Sequence, residues 1–171
     1  PLILGNLLQQ LYNLADTWVV GRFIGEGALA AVGSSYTLMT FLTSILLGLC
    51  MGSSVYFSIQ YGRQDPDRLR NGIFQSFLLI GGLTLLLNLT VYLALDGILV
   101  LLQIPPDILG LTKEYLQWIF AGMVATFLYN FFANLLRSVG DSATPLVFLG
   151  ISVVLNIGLD ILFVVPLGMG V

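Results

Sequence analysis

A long run without charged side chains most constrains how this chain can fold. No Asp, Glu, Lys or Arg occurs between Gly27 and Gly62, and the residues there are mainly apolar. A membrane-spanning helix needs about 20 consecutive, mainly apolar residues. At about 1.5 Å per residue the run is longer than a bilayer core, so part of its helix must protrude, tilt or bend.

The composition of the whole chain also indicates a membrane protein. Of its 171 residues 57% are hydrophobic and 9% are charged, whereas soluble domains carry about 25% charged residues. No basic patch occurs, which argues against nucleic-acid binding. One cysteine, Cys50, supports neither an intrachain disulfide framework nor a cysteine-based metal site. Because histidine is absent, a proton relay inside the membrane must use carboxylates.

Apolar segments of spanning length recur along the chain and predict an all-α polytopic membrane protein. A shorter apolar piece, 97–104, ends at a Pro-Pro pair. It is too short to span and is predicted to be an interfacial segment or loop helix. The five predicted spans are residues 2–20, 31–61, 72–95, 115–136 and 145–165.

The connections between the spans carry helix-start signals and most of the charges. Asp65 and Pro66 predict an N-cap and a first helical residue for the third span, and Thr144 and Pro145 predict the same for the fifth. Four basic residues follow the second and fourth spans, and two follow the first and third. Since cytoplasmic loops carry excess Lys and Arg, the N-terminal end is expected in the cytoplasm, with the protein in the plasma (inner) membrane.

Polar residues form a stripe along the first span. They recur at spacings of three and four, which is the repeat of one helix face. Lipid tails cannot form hydrogen bonds with these polar side chains. This face is therefore predicted to line a bundle interior or a water-filled cavity. The stripe comprises Asn6, Gln9, Gln10, Asn13, Asp16 and Thr17, with Tyr12 one turn before Asp16.

The fifth span carries a second carboxylate at a matching depth. Asn156 and Asp160 stand four residues apart, which places them on one helix face. Asp16 lies six residues before Arg22, and Asp160 lies six residues before Pro166. Because the first and fifth spans run parallel in the predicted topology, both carboxylates lie about 9 Å below the outer helix ends. Their common level indicates a shared site.

When two carboxylates lie close together in a medium of low dielectric constant, ionising both of them costs much free energy. Either one of them binds a proton, or a cation such as Na⁺ sits between them. Asn13 and Asn156 have amide oxygens that suit a hard cation. Alternatively, Asp16 and Asp160 are both protonated and only hydrogen-bond to neighbouring helices.

Further polar and small residues lie in the other spans. In the fourth span they keep to one face and predict cavity lining, with interhelical hydrogen bonding as the alternative. The phenylalanines beside them predict an apolar drug-binding wall or lipid contact. Small residues four apart predict close helix packing in the second span. The polar residues of the fourth span are Thr126, Tyr129, Asn130 and Asn134, and the phenylalanines are Phe127, Phe131 and Phe132. The small residues of the second span are Gly48 and Gly52, and Gly158 of the fifth span is a further point of close approach.

Three separate stretches resemble one known family. "LLQQLYNLADTWVVGRFIGEGALAAVG" (7–33) resembles the first helix and following loop of the multidrug and toxic compound extrusion (MATE) transporters. "GSSVYFSIQYGRQDPDRLR" (52–70) resembles the end of their second helix and the loop after it. "RSVGDSATPLVFLGISVVLNIGLDILF" (137–163) resembles their fourth-to-fifth connection and fifth helix.

The resemblance implies a larger architecture. MATE transporters have twelve spanning helices in two six-helix lobes, so residues 1–171 would be five of the six helices of the N-terminal lobe. The sixth helix and the C-terminal lobe would complete the protein, and a bending proline of the first helix would correspond to Pro1.

The resemblance also implies site residues and an activity. An acidic residue of the family's first helix matches Asp16, and its Asn-x-x-x-Asp of the fifth helix matches Asn156 and Asp160, the ion-coupling residues. Gln9, Tyr12 and Asn130 match positions that line the lobe cavity. The expected activity is export of cationic, lipophilic compounds in exchange for H⁺ or Na⁺, without catalysis or a further cofactor.

Two other functions stay open. A flippase for lipid-linked oligosaccharides has a related architecture, but it needs cavity cations to hold pyrophosphate, and no Lys or Arg lies inside a predicted span. An intramembrane aspartyl protease also uses two Asp on two helices. Its Tyr-Asp and Gly-x-Gly-Asp motifs are not matched by Ala15-Asp16 and Gly158-Leu159-Asp160, which makes it a remote alternative.

Overall fold

The fold is known from a computed structural model that describes residues 7, 10, 11, 14, 26–101 and 103–164. The first four of these residues are helical, and the rest of the first predicted span lies outside the described residues. The continuous segments form four helices, which are α1 (Glu26–Gly62), α2 (Pro66–Leu101), α3 (Pro106–Ser138) and α4 (Ala143–Val164).

Three helices are long enough to cross a membrane with turns to spare. Helices α1, α2 and α3 contain 37, 36 and 33 residues, or about 50–55 Å at 1.5 Å per residue. Each is apolar enough to span, and α4 adds a shorter apolar stretch at Ala143–Leu159. These three helices are therefore longer than a hydrocarbon core of about 30 Å.

The second half of α2 corrects one prediction. Residues 97–101 are the last turn of α2 and not a separate interfacial segment. Leu95 and Leu99 are buried in the cluster that also holds Leu116 and Phe120 of α3. Because of this packing the helix continues past Asp96, although the predicted span ends at residue 95.

Of the two N-cap predictions, the one for α2 is confirmed and the one for α4 is wrong. The Asp65 carboxylate accepts the backbone N–H of Arg68 at 3.0 Å, and Pro66 is the first residue of α2, as predicted. At α4 the cap is Asp141, which accepts the N–H groups of Ala143 and Thr144. Thr144 is therefore already helical, and its predicted capping role is wrong because an earlier carboxylate serves the first turn.

The first three helices all end in the same type of short turn. In each turn a backbone N–H beyond the helix end bonds to a carbonyl five residues earlier, and the residue before that N–H has a positive φ. This arrangement reverses the chain within a few residues, so successive helices run antiparallel. The positive-φ residues are Gln64 (55°), Gln103 (53°) and Gly140 (95°).

Helices α1, α2 and α3 form a common core. All three contact one another, most extensively α1 with α3, whereas among the described helices α4 contacts α3. Aromatic rings fill the middle of the core, where Phe131 lies 6.0 Å from Phe57 and 5.3 Å from Phe77 between ring centroids, both edge-to-face. Such ring pairs add about 0.5–1.5 kcal/mol beyond their buried area.

A glycine other than the predicted ones lies against a neighbouring helix. Gly48 and Gly52 are exposed, and no described atom comes within 4 Å of a Cβ built at either position or at Gly158. The described helices therefore make no close contact at these glycines, and packing through them stays a prediction. Gly72 of α2 is buried under the Tyr56 ring of α1, which a Cβ would approach to 2.2 Å.

Candidate functional site

Half of the predicted site residues lie outside the described part of the chain. Gln9, Tyr12, Asn13 and Asp16 belong to it, so the pairing of Asp16 with Asp160 stays a prediction. For Asp160 the structure describes the backbone, which is helical within α4.

Asn156 carries the clearest signal of an incomplete polar site. Its side chain is half-buried, and its Oδ1 is fully buried without a hydrogen-bond partner. Burying an acceptor unpaired costs about 1–3 kcal/mol, so this oxygen is set up to receive a proton donor or a cation. Asp160 follows four residues later in the helical backbone of α4.

Two asparagines of α3 donate hydrogen bonds within their own helix. Asn130 donates through Nδ2 to the Thr126 carbonyl, and Asn134 donates to the Asn130 carbonyl, each at 2.8 Å. Asn134 is buried and Asn130 is half-buried. These bonds do not bridge to another described helix. Cavity lining and interhelical hydrogen bonding both stay predictions for these residues.

The phenylalanines of α3 divide between core and surface. Phe127 and Phe131 are 3% and 1% exposed and pack with Cys50, Phe57 and Ile80. The expectation that they form a drug-binding wall or face lipid is therefore wrong, because α1 and α2 cover them. Phe132 is 48% exposed and keeps that possibility.

Two amides that the sequence analysis passed over are structurally important. Asn88 donates through Nδ2 to the Phe120 carbonyl and so links α2 to α3. Gln60 is 5% exposed, and its Oε1 is buried without a hydrogen-bond partner, like that of Asn156. A signal was available for Gln60, because it is the only Asn or Gln between Gly27 and Gly62.

Positive charge is confined to the helix ends. No Lys or Arg of the described chain lies in the central turns of a helix, and Arg68 and Lys113 pair with Asp65 and Asp96. Within the same residues there is no group of three His, Cys, Asp or Glu that could hold a metal ion. The described lobe interior therefore offers the unpaired amide oxygens of Gln60 and Asn156, which suit a hydrogen-bond donor or a hard cation.

Among the described residues, Asp141 in the loop between α3 and α4 is a carboxylate whose pKa is clearly shifted. Hydrogen bonds from the Thr144 side chain and backbone, and from the Ala143 backbone, hold the pKa of Asp141 below its usual 3.8. Asp141 is thus ionised at neutral pH and acts as a helix cap.

Comparison with known proteins identifies the family. The sequence model of the MatE family matches residues 1–162. The chain belongs to the MatE family. This confirms the family resemblance, and the described helices are those of a membrane-embedded MATE N-terminal lobe.

Relatives and solved structures agree with this assignment. The chain is 34% identical over 171 residues to the probable multidrug resistance protein YpnP of Bacillus subtilis, covering all of this chain and 38% of YpnP. An outward-facing multidrug resistance MATE transporter of the MOP superfamily superposes with a TM-score of 0.90 at 28% identity, over 98% of this chain and 37% of that one.

A third similar protein is of interest for its charge. A MOP superfamily transporter from Pyrococcus furiosus, described as having a binding pocket of reverse polarity that suggests a different function, superposes with a TM-score of 0.91. It is 28% identical, over 99% of this chain and 37% of that one. The present chain thus spans less than two fifths of the length of each of these proteins.

Proposed function

We propose that the protein is a cation-coupled antiporter that exports cationic, lipophilic drugs or toxins by alternating access. Membership of the MatE family and the multidrug resistance name of YpnP support this function. The single observation that carries the coupling part is the buried, unpaired Oδ1 of Asn156, one turn before Asp160. No cofactor is needed beyond the coupling ion, H⁺ or Na⁺.

The proposed cycle uses the charge of two carboxylates. With Asp16 and Asp160 ionised, the lobe cavity attracts a cationic compound. Entry of H⁺ or Na⁺ neutralises the pair, with Asn156 supplying an oxygen for the ion, and the compound is released. Coupling requires only that ion and compound have different affinities for the two conformations. Gln9, Tyr12, Asn13, Asn130 and Asn134 are the proposed cavity lining.

The proposed setting is the whole transporter in the plasma (inner) membrane. The five predicted spans form part of the N-terminal lobe, with the N-terminal end in the cytoplasm, and a sixth helix and C-terminal lobe complete the transport path. The end of the bundle that joins α1 to α2 and α3 to α4 holds Arg63, Arg68, Arg70 and Arg137. Excess basic residues favour the cytoplasmic side, which supports this orientation.

An anionic cargo is the second candidate, favoured by the likeness to the transporter of reverse pocket polarity. Holding a pyrophosphate or similar group requires cationic side chains in the cavity. The described Lys and Arg residues stand at helix ends, which supports the cationic cargo instead.

The test uses the full-length protein in proteoliposomes with an imposed pH or Na⁺ gradient. We expect Asp16→Asn, Asp160→Asn and Asn156→Leu each to lower gradient-driven efflux of a cationic dye at least tenfold. Asp107→Asn, which changes an exposed carboxylate in the first turn of α3, serves as the matched control and should leave efflux unchanged.

The same assay separates the candidates. Wild-type efflux by both Asp variants would refute the coupling role. Transport of an anionic dye in preference to a cationic one would replace the drug-export proposal by the second candidate. Whichever gradient drives efflux identifies the coupling ion.

A further inference from the structure

An open groove runs between α2 and α3 at the end of the bundle that carries the arginines. Its volume is about 510 Å³, and Asn156 is not among its lining residues. One end is polar and the rest is apolar and mostly aromatic. Its main lining residues are Arg70, Asn71, Phe74, Phe77, Phe131 and Phe132.

The polar and apolar parts of the groove follow the depth of the membrane. Arg70 lies in the second turn of α2, and Phe77 lies seven residues further along the same helix. This separation corresponds to about 10 Å along the helix axis. It is the distance over which a phospholipid changes from its phosphate to its acyl chains.

The charge of Arg70 is available to a ligand. Arg68 forms an ion pair with Asp65, whereas Arg70 has no ion pair with any described residue and its side chain is exposed. A guanidinium group presents several N–H donors in a plane and binds phosphate through two of them. The neighbouring Asn71 is also exposed at this end and adds an amide donor.

The apolar floor of the groove is already in place. The Phe77 ring packs against Phe127, Phe131 and Phe132 at centroid distances of 5.4, 5.3 and 6.2 Å. Phe131 is held by the core, so the floor cannot collapse into the groove. Phe74 forms a wall and is 64% exposed.

We propose that this groove binds one anionic phospholipid, with its phosphate on Arg70 and Asn71 and an acyl chain along Phe74, Phe77 and Phe132. Charge complementarity selects the headgroup, because basic residues near a bilayer surface attract anionic lipids. The predicted orientation assigns the lipid to the cytoplasmic leaflet. The site does not depend on the identity of the transported compound.

Native mass spectrometry of the full-length protein tests the headgroup preference. The protein in detergent is titrated with phosphatidylglycerol or with phosphatidylcholine of the same acyl chains. We expect tighter binding of phosphatidylglycerol, and a loss of about tenfold in Arg70→Gln, since a charged hydrogen-bonded pair of about 1.4 kcal/mol corresponds to that factor. Arg70→Lys should retain part of the affinity.

The matched control is Arg63→Gln. It removes the same charge from the same end of the bundle, but Arg63 does not line the groove. Less than a twofold change is expected in this variant. An equal loss in Arg63→Gln and Arg70→Gln would show diffuse attraction and overturn the site, as would the absence of any preference for phosphatidylglycerol.

A fluorescence measurement locates the acyl chain. Phe74→Trp is made in full-length protein whose other tryptophans are replaced by Phe, and brominated lipids serve as quenchers. Brominated phosphatidylglycerol should quench more strongly than brominated phosphatidylcholine, and Arg70→Gln should remove the difference. A tryptophan at exposed Phe148 of α4 should be quenched equally by both. If neither lipid quenches at position 74, protein fills the groove and the proposal is wrong.

Discussion

The interface of α1, α2 and α3 differs sharply from the surroundings of α4. The first three helices interlock through buried Leu and Phe side chains in two apolar clusters. Helix α4 contacts only α3 among the described helices, and its buried residues there are Pro145 and Val153. It also carries Asn156, whose buried oxygen has no partner. The rigid packing and the incomplete polar site therefore lie in different parts of the lobe.

The difference follows from what holds helices together in lipid. Lipid tails are as apolar as Leu, so helix association depends on close packing and interhelical hydrogen bonds. Helices α1 to α3 have the packing, including the Phe57, Phe77 and Phe131 rings. Among the described residues helix α4 has less of it, since its buried residues are Pro145 and Val153.

The largest stability effect is expected in the aromatic core. Phe131→Ala removes a ring that is 1% exposed, and the resulting cavity should lower the free energy of unfolding by about 3 kcal/mol. Denaturant unfolding of the full-length protein in micelles measures this change. Phe148→Ala on α4, where the ring is exposed, should change it by less than about 0.5 kcal/mol. Similar losses in both variants would remove the contrast between the two regions.

The next effect concerns the approach of α2 to α1. Gly72→Ala would place a Cβ against the Tyr56 ring; the ring, which is 41% exposed, must turn aside, and we expect a cost of about 1–2 kcal/mol. Gly82→Ala on the same helix has no described atom within 4 Å. It should be neutral or stabilising by up to about 1 kcal/mol, because Ala is the better helix former. Adding Tyr56→Ala to Gly72→Ala should recover part of the lost stability; no recovery would place the strain elsewhere.

A smaller effect on stability is expected from replacing Asn156 or Asn134, and the two variants should differ in whether stability or transport is lost. Asn156→Leu removes a buried oxygen without a partner, so unfolding free energy should stay within about 1 kcal/mol of wild type or rise, while dye efflux is lost. Asn134→Leu removes a buried amide that is hydrogen-bonded within α3 and should lower stability by about 1 kcal/mol. The proposed division would be contradicted by a strongly destabilised Asn156→Leu protein that still transports.

The smallest effect is a pH dependence at the start of α4. The folded pKa of Asp141 lies below its usual 3.8, so its contribution to stability is complete above that value and is lost as pH falls through the folded pKa. Asp141→Ala should lower the melting temperature slightly at pH 7, and its difference from wild type should vanish in acid. Asp141→Asn keeps an oxygen acceptor and should retain most of the stability without this pH dependence.

Local features of the chain were predictable from sequence. The charge-free run between Gly27 and Gly62 forms one uninterrupted helix, and the Asp65–Pro66 pair starts the next. Both depend on a few neighbouring residues and on the need of backbone groups to bond within the segment. The family resemblance was also visible in three short stretches and is confirmed over residues 1–162.

Features that depend on distant contacts were not predictable in the same way. The continuation of α2 to Leu101, the core position of Phe127 and the packing of Gly72 all depend on which neighbour covers a helix face. The sequence pattern marked Gly48 and Gly52 for close packing, but periodicity alone does not say which face meets another helix. The pairing of Asp16 with Asp160 is of this kind and stays a prediction.

The amino-acid sequence by itself determined that this protein is helical, membrane-embedded and a member of the MatE family, because apolar length, charge placement and short motifs are properties of the chain. Only the tertiary structure decided that Phe131 belongs to the core, that Asn156 keeps an unpaired buried oxygen and that Arg70 heads an aromatic groove. The physical reason is that burial and hydrogen-bond partnership are set by helices far apart in the chain, and they exist only once those helices have packed.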